Sequence, residues 1–253
     1  MANLELKELT IQFGGLVALQ DLSFHVADEE IVALIGPNGA GKTTAFNIIT
    51  GFLPPTRGHV MYSGEDVVRL PPHQIASKGL IRTFQKTNIF SSVSVFDGVM
   101  MGRHCRTRSG FLKIILNTRY VQMEEERSKE KAETILDFVG LAHRRDEMAR
   151  NLSSGEQRLL EIAVALAGEP NLLLLDEPAT GMNPSEKERV MTLIKKVRSN
   201  GITVLLVEHD MGLVMGISDR IVVLNFGKKI AEGKPREIQE NEEVIRAYLG
   251  GAG

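Results

Sequence analysis

The chain has 253 residues, of which 43% are apolar and 25% are charged, as in an ordinary folded globular domain. Its formal net charge of −2 excludes the overall basic field by which nucleic-acid-binding proteins attract a polyanion, so we expect no nucleic acid partner. The single cysteine cannot form an internal disulfide, which fits a reducing compartment. Because the sequence has no apolar run near the roughly 18 residues of a membrane span, a role at a membrane requires a partner that crosses it.

The N-terminal part predicts an antiparallel edge sheet followed by a strand, a loop and a helix. Two stretches with alternating apolar residues, 4–13 and 22–30, are separated by the pair Gly14-Gly15 and are typical of half-buried strands. The continuous apolar run EIVALIG then predicts a buried strand that ends in glycine. The segment TTAFNIITG favours a short helix.

The loop between that strand and that helix carries the strongest single pattern in the chain. It reads Gly36-Pro37-Asn38-Gly39-Ala40-Gly41-Lys42-Thr43, which fits the phosphate-loop pattern G-x-x-x-x-G-K-[ST]. The glycines let backbone N–H groups approach phosphate at a helix N-terminus, where anions are favoured. We expect Lys42 to reach the β- and γ-phosphates, Thr43 to ligate Mg²⁺ and Thr44 to complete the site. The strand and helix on either side favour this interpretation over a plain tight turn.

Two later apolar runs predict buried parallel strands that end in polar side chains. Leu172 to Leu175 precede Asp176 and Glu177, and Val204 to Val207 precede a segment that includes His209. Ligands bind at the carboxyl ends of such strands in open α/β sheets. A further run, IVVL at 221–224, predicts the edge of the sheet.

The side chains at these strand ends suit phosphoryl transfer. Because side chains alternate along a strand, Asp176 and Glu177 should point to different sides. Asp176 can then hold the Mg²⁺ shell, and Glu177 can orient or deprotonate an attacking water. His209 can donate a hydrogen bond to charge that develops on a γ-phosphoryl group. Taken alone, the acids could be merely solvated and the histidine an ordinary surface residue; the phosphate loop favours the functional interpretation.

The middle of the chain predicts a separate helical subdomain. Residues 86–165 contain helical periodicity, whereas 1–85 and 166–253 contain the predicted strands, so we expect one domain with a helical insert. The stretch RHCRTRSGFLKIILNTR within the insert is locally basic. It suits either a membrane surface or acidic partner, or simply a solvated helix and loop.

Taken together, these motifs resemble the ATP-binding subunit of an ABC transporter. The resemblance also rests on Gln85 in RTFQ, on LSSGEQRLLEIAVAL at 152–166 and on Phe13, and it covers almost the whole chain. It implies an α/β fold of the P-loop NTPase type specific to ABC proteins, with a mixed sheet core, an antiparallel β edge and a helical subdomain. It also implies an ATPase that binds ATP, ADP and Mg²⁺.

The resemblance assigns roles that spacing alone does not. Phe13 would stack on adenine, although it can equally be a core aromatic. Gln85 would contact Mg²⁺ or the attacking water and couple the site to the helical insert. Ser153 and Gly155 would bind the γ-phosphate of ATP held by an opposite subunit. Since Ser153 and Glu156 also fit a capping box, a plain helix cap is the alternative, and both can hold at once.

The sequence departs from the family pattern at three positions. Where relatives usually read LSGGQ, this chain reads LSSGEQ, so Ser154 replaces glycine and Glu156 replaces glutamine. If Ser154 had to adopt a positive φ, it would cost roughly 1–2 kcal/mol. Asn183 stands where many relatives have aspartate, which keeps hydrogen bonding but removes a charge. We expect the tightness of the two-subunit sandwich and the communication between its sites to be affected.

Longer phrases resemble one group of importers in particular. The stretches FGGLVAL, GLIRTFQKTNIF and the C-terminal VIRAYLG are similar to the ATPases of branched-chain amino acid importers. The expected partners are two membrane permease subunits, an extracytoplasmic solute-binding protein and a second ATPase subunit, at the cytoplasmic face of the membrane. Alternatives are ATPases for urea, other amino acids or lipopolysaccharide, a soluble non-transport ABC ATPase, or a module that binds nucleotide without turnover.

Overall fold

The structure is a computed structural model that describes residues 2–83, 92–103 and 119–249. The chain divides into two compact units, Met1–Arg82 with Asn171–Gly253, and Thr83–Pro170. The expected contact of Gln85 with Mg²⁺ or water, and most of the basic stretch, lie outside the described residues. In the described part of the chain, no helix is both long enough and apolar enough to cross a membrane.

The regular elements alternate between strands and helices in the first unit. The described strands are β1 (Ala2–Phe13), β2 (Leu16–Ala27), β3 (Ile31–Ile35), β4 (Arg57–Tyr62), β5 (Glu65–Asp66), β6 (Leu80–Arg82), β7 (Leu172–Asp176), β8 (Thr203–Val207), β9 (Arg220–Asn225) and β10 (Lys228–Gly233). The described helices are α1 (Lys42–Ile49), α2 (Pro72–Ser77), α3 (Val95–Arg103), α4 (Arg119–Val139), α5 (Ser154–Ala167), α6 (Pro184–Ser199), α7 (Met211–Ile217), α8 (Pro235–Gln239) and α9 (Glu242–Leu249). Only α3, α4 and α5 belong to the second unit among the elements described.

The first unit contains two sheets. In the described residues, the antiparallel sheet has the order β2-β1-β4-β5, and the mixed sheet has the order β10-β9-β3-β8-β7-β6. Strands β1 and β2 pair antiparallel across Gly14-Gly15, which confirms the predicted edge sheet. Their apolar side chains pack with α1 and with one face of the mixed sheet in a common core that includes Leu6, Leu22, Phe46 and Leu205.

The prediction that residues 221–224 form the sheet edge was wrong. Strand β9 pairs parallel with β3 on one side and antiparallel with β10 on the other, so it lies inside the sheet. The edge strand is β10, whose residues are exposed or half-buried and include two lysines and a glutamate. Such a charged edge strand protects a sheet from further pairing, and its sequence lacks the apolar run that revealed the inner strands.

The central strands β3, β8 and β7 end side by side, so the three loops that follow them meet at the carboxyl ends of these strands. All five residues of β3, β7 and β8 are buried, as expected for parallel strands that are covered on both faces. The register places Leu34 of β3 and Asp176 of β7 opposite the same residue of β8, Val207. The segments that begin at Gly36, Glu177 and Glu208 therefore start side by side.

The second unit is helical in its described part and has its own core. Helices α3, α4 and α5 pack on one another and bury mainly aliphatic side chains, among them Val99, Leu136 and Leu160. A Cβ on Gly102 would lie 2.3 Å from the carbonyl oxygen of Val164, so glycine permits the close approach of α3 to α5. The Ser94–Met148 bridge is an isolated pairing in this unit rather than a strand.

Candidate nucleotide site

The loop between β3 and α1 has a backbone that only glycine fits at two positions. Gly36 has a φ of 151°, and a Cβ there would lie 2.1 Å from the carbonyl oxygen of Leu224. Gly41 has a φ of 102°, and its Cβ would meet Leu19 at 2.6 Å and the carbonyl oxygen of Ala18 at 2.9 Å. Gly41 is also the N-cap of α1 and provides no side-chain cap. The helix therefore begins without a side chain over its first N–H groups, as an anion site requires.

Lys42 lies within this loop rather than in solvent. Its side chain is buried, and its Nζ donates to the carbonyl oxygens of Gly36 at 2.6 Å and Pro37 at 2.9 Å. Burial lowers the pKa of Lys42 below its ordinary value, although the charges of Glu177 and Asp176 act in the opposite direction. A charged amine held only by carbonyl oxygens is poised to exchange them for phosphate oxygens, because anionic acceptors make stronger hydrogen bonds.

Glu177 and His209 meet at the ends of β7 and β8. The His209 Nε2 atom lies 2.8 Å from Glu177 Oε1, and the Thr180 hydroxyl donates to Glu177 Oε2 at 3.2 Å. Glu177 has a left-handed backbone with a φ of 50°, and its N–H donates to the Val207 carbonyl oxygen at 2.9 Å. Non-glycine residues in such strained conformations are concentrated at functional sites. The sequence placed both residues at strand ends, but it gave no reason to expect their direct contact.

Asp176 and Glu177 have different partners, although Glu177 lies beyond the end of β7 with a left-handed backbone, so strand alternation is not the reason. Its carboxylate is almost fully buried, and one oxygen accepts a hydrogen bond from Arg82 at 2.6 Å. Arg82 also donates to the side chain of Asn47 on α1 at 2.8 Å and lies over the ring of Phe46 at 5.5 Å. Arg82 thus joins the end of β6 to both β7 and α1. Arg82 belongs to the RTFQ motif, but no local pattern in the sequence indicated these contacts.

A cavity of about 420 Å³ unites the loop with the two strand ends. It is lined by Leu16, Val17, Ala18, Asn38, Gly39, Ala40, Gly41, Lys42, Thr43, Thr44, Glu177, His209, Phe226 and Gly227. The predicted loop residues Asn38 to Thr44 and two of the three predicted catalytic side chains, Glu177 and His209, therefore share one space, whereas Gln85 lies outside the described residues. Gly36 and Pro37 belong to the same loop but do not line this cavity.

The aromatic wall of the cavity differs from the one that the sequence suggested. Phe13 is half-exposed at the end of β1 and does not line the cavity, whereas Phe226 does and is 86% exposed. Phe226 lies in the turn between β9 and β10 with a φ of 44°, and the next residue, Gly227, donates to the carbonyl oxygen of Ala40 at 3.0 Å. This hydrogen bond fixes the turn to the phosphate loop. The sequence signal for this turn is the pair Phe226-Gly227, which follows the IVVL run at 221–224.

In the second unit, Ser153 and Glu156 form the predicted capping box at the start of α5. Ser153 Oγ accepts from the Glu156 N–H at 3.2 Å, and Glu156 Oε2 accepts from the Ser153 N–H at 2.9 Å. Arg144 also donates to Glu156 at 3.1 Å. Burial acts to raise the pKa of Glu156, but the hydrogen bonds from Ser153 and Arg144 outweigh it and lower that pKa. Gly155 is buried in the first turn.

The departures from the family pattern cause no backbone strain. Ser154 is the first residue of α5 and is not among the residues with positive φ, so the conditional cost does not arise. Asn183 is the N-cap of α6: its Oδ1 accepts from the Glu186 N–H at 3.0 Å, and Glu186 accepts from the Asn183 N–H at 3.0 Å. Asparagine therefore fulfils the capping role that an aspartate could also provide.

Among the described residues, no group of three or more His, Cys, Asp or Glu side chains could hold a metal ion. Mg²⁺ usually binds through one or two protein oxygens together with phosphates and water. Two such oxygens are available here: Thr43 lines the cavity, and Asp176 ends β7.

The fold and the loop define a P-loop NTPase of the ABC type. The family profile described as ABC transporter matches residues 19–180, and a profile described as branched-chain amino acid ATP-binding cassette transporter matches residues 228–253. The chain belongs to the ABC transporter family, as one of its ATP-binding cassettes.

Curated relatives and solved structures cover nearly the full chain. The high-affinity branched-chain amino acid transport ATP-binding protein BraF of Pseudomonas aeruginosa is 44% identical over 250 residues, which are 98% of each chain. The lipopolysaccharide export system ATP-binding protein LptB of Escherichia coli is 34% identical over 99% of this chain and 98% of its own. The crystal structure of the ADP conformation of MJ1267, an ATP-binding cassette of an ABC transporter, is 31% identical, covers 99% of both chains and has a TM-score of 0.88.

Proposed function

We propose that this protein binds and hydrolyses ATP to power the import of branched-chain amino acids. The observation that carries the ATPase part is the single cavity that joins the phosphate loop to Glu177 and His209. The import of branched-chain amino acids is supported by the 44% identity to BraF and by the C-terminal profile at 228–253.

In this proposal the loop residues bind the nucleotide. The backbone N–H groups from Asn38 to Thr44 surround the phosphates, with Gly36 and Pro37 shaping the start of the loop, and Lys42 exchanges its two carbonyl partners for β- and γ-phosphate oxygens. Phe13, which pairs with the cavity-lining Leu16, is the residue proposed to stack on adenine, with Phe226 as a second aromatic surface. Thr43, Asp176 and Gln85 would hold a Mg²⁺ ion bound with the nucleotide, and the ion would supply positive charge next to the phosphates.

Glu177 and His209 carry the chemical step. Without nucleotide, Glu177 Oε1 lies within hydrogen-bonding distance of His209 Nε2. With ATP bound, Glu177 instead orients and deprotonates the attacking water. His209 Nε2 then donates to charge that develops on the γ-phosphoryl oxygens. Thr180 holds the second oxygen of Glu177, so the carboxylate keeps one orientation.

The working unit is a sandwich of two ATPase subunits on two membrane permeases. Ser153 and Gly155 bind the γ-phosphate of the ATP that the opposite subunit holds, so ATP favours the closed pair through contacts that exist only there. Hydrolysis and product release reopen the pair. The permeases and an extracytoplasmic solute-binding protein complete the importer, with this chain peripheral at the cytoplasmic face of the membrane.

Glu177→Gln tests the enzymatic part. Because a general base contributes about 10²- to 10⁴-fold, the variant should hydrolyse ATP at least about 100-fold more slowly while it still binds ATP. Glu188→Gln is the matched control, since Glu188 is an exposed acid on α6. Unchanged turnover in Glu177→Gln would refute the assigned role of Glu177.

Purification of the tagged chain from its native membrane tests the transport part. Recovery of two permeases together with a binding protein for leucine, isoleucine or valine is the expected result. Export of lipopolysaccharide is the second candidate, because LptB is 34% identical over nearly the whole chain. Recovery of permeases without an amino acid-binding protein, and with bound lipopolysaccharide, would replace the first proposal with the second.

A further inference from the structure

Glu208 is a buried carboxylate that the proposed reaction does not use. It follows β8 directly and is 2% exposed. Its Oε1 atom accepts from the Ala179 N–H at 2.8 Å, and its Oε2 atom accepts from the N–H groups of His209 at 2.8 Å and Asp210 at 3.2 Å. Hydrogen bonds to a carboxylate are strong, so a buried glutamate with three backbone donors holds those donors firmly.

The three donors belong to two different loops. Ala179 lies in the loop that follows Glu177, whereas His209 and Asp210 lie in the loop that follows β8. A second link joins the same regions, because Lys187 of α6 forms an ion pair with Asp210. Asp210 in turn accepts from the Leu213 N–H at 3.0 Å as the N-cap of α7. Glu208 therefore links the two loops directly through Ala179, and the Lys187–Asp210 ion pair links α6 to the second loop.

This attachment acts on a strained backbone. The left-handed φ of Glu177 persists only where surrounding contacts determine the conformation. Besides the local bonds of Thr180, two hydrogen bonds tie the segment to β8 and the residue that follows it: the Glu177 N–H donates to Val207, and the Ala179 N–H donates to Glu208. The first is part of the sheet edge. The second depends entirely on one side chain.

We propose that Glu208 is a positioning residue: it holds the backbones of Glu177 and His209 beside each other, so that their side chains, 2.8 Å apart in this structure, reach the attacking water and the γ-phosphoryl group together. This inference rests on the proposed ATPase function and adds a residue to it. Glu208 fixes the backbone on both sides of the pair and does not line the nucleotide cavity. Its loss therefore lowers the rate of the chemical step without weakening the binding of ATP.

Glu208→Gln is the variant that tests this inference. Glutamine has nearly the same shape, but its NH₂ group would face one of the backbone donors in place of an acceptor. We expect kcat to fall about tenfold or more, which corresponds to the loss of one strong buried hydrogen bond, and KM for ATP to stay within about twofold. Glu208→Asp keeps the charge next to His209 but withdraws from Ala179, so its kcat should fall less.

Asp219→Asn is the control. Asp219 also accepts a backbone N–H, that of Ile31 at 2.9 Å, but it is exposed and lies where β3 and β9 begin, at the opposite end of the mixed sheet from Glu208. The variant should lose less stability than Glu208→Gln, read as Tm, and keep its kcat. If Glu208→Gln keeps the kcat of the unmodified protein, or falls no further than Asp219→Asn, the inference is overturned.

The unmodified full-length chain and Glu177→Gln belong in the same series. Hydrolysis that is lost in Glu177→Gln but retained in Glu208→Gln refutes the positioning role alone. An unmodified protein that does not hydrolyse ATP refutes the proposed function and this inference together. Should Glu208→Gln fail to fold, Glu208→Asp decides: a kcat equal to that of the unmodified chain overturns the inference, and a reduced kcat with unchanged KM supports it.

Discussion

The N-terminal ends of α1 and α5 are built from similar small residues but are finished in opposite ways. Helix α1 begins after Gly41 with no side-chain cap and no acidic residue in its first turn. Helix α5 begins after Ser153 with a complete capping box and Glu156 in its first turn. One end leaves its N–H groups to a ligand, whereas the other already uses its own carboxylate as the anion.

This difference shows why a helix N-terminus alone does not make a phosphate site. The α1 end also has a buried amine, Lys42, and two nearby carboxylates, Asp176 and Glu177, at the end of β7. The basic group near the α5 end, Arg144, is already paired with Glu156 and Glu147. On this basis we expect α1 to bind phosphate by itself, whereas the proposed contact of α5 with the ATP of another subunit stays a prediction.

The largest expected effect comes from removing the amine that distinguishes α1. Lys42→Ala should lower the rate of ATP hydrolysis by at least about 100-fold, because one preorganised donor to developing charge is worth about 10²- to 10³-fold. Binding of ATP, measured by titration calorimetry, should weaken as well. Lys195→Ala, which removes an exposed lysine from α6, is the control. A variant Lys42→Ala with near-normal turnover would show that the open helix end suffices.

An intermediate effect is expected when the α5 end is made more like α1. Glu156→Gln removes the carboxylate charge while the Ser153 cap remains, so ATP-induced dimerisation should tighten by a few-fold, as charge near a helix end contributes about 0.3–1 kcal/mol. Ser153→Ala should instead weaken dimerisation and cost about 1 kcal/mol of folding stability through the lost cap. Analytical ultracentrifugation with ATP in a Glu177→Gln background measures both. Equal weakening by the two variants would mean that the cap matters and the charge does not.

The sequence predicted the parts of the site that rest on local patterns. The glycine loop, the strand ends at Asp176 and Glu177, and the Ser153 capping box each lie within a few consecutive residues, so spacing alone was informative. The Arg82–Asp176 and Glu208–Ala179 contacts join residues that are 94 and 29 positions apart. They depend on strand order, which no local pattern encodes. Strand β10 was missed for the related reason that a charged edge strand has no apolar run.

The smallest expected effect concerns the apolar side chains that line the nucleotide cavity. Phe226 lines that cavity together with Leu16 and Val17, and an aromatic stacking contact is worth about 0.5–1.5 kcal/mol. Phe226→Ala should therefore raise KM for ATP by about two- to tenfold and leave kcat unchanged, since an apolar ring contributes to binding and takes no part in proton transfer. Phe52→Ala, at an exposed phenylalanine outside the cavity lining, should change neither constant. If Phe13→Ala raises KM and Phe226→Ala does not, the family's usual stacking residue binds the base without help from the β9–β10 turn.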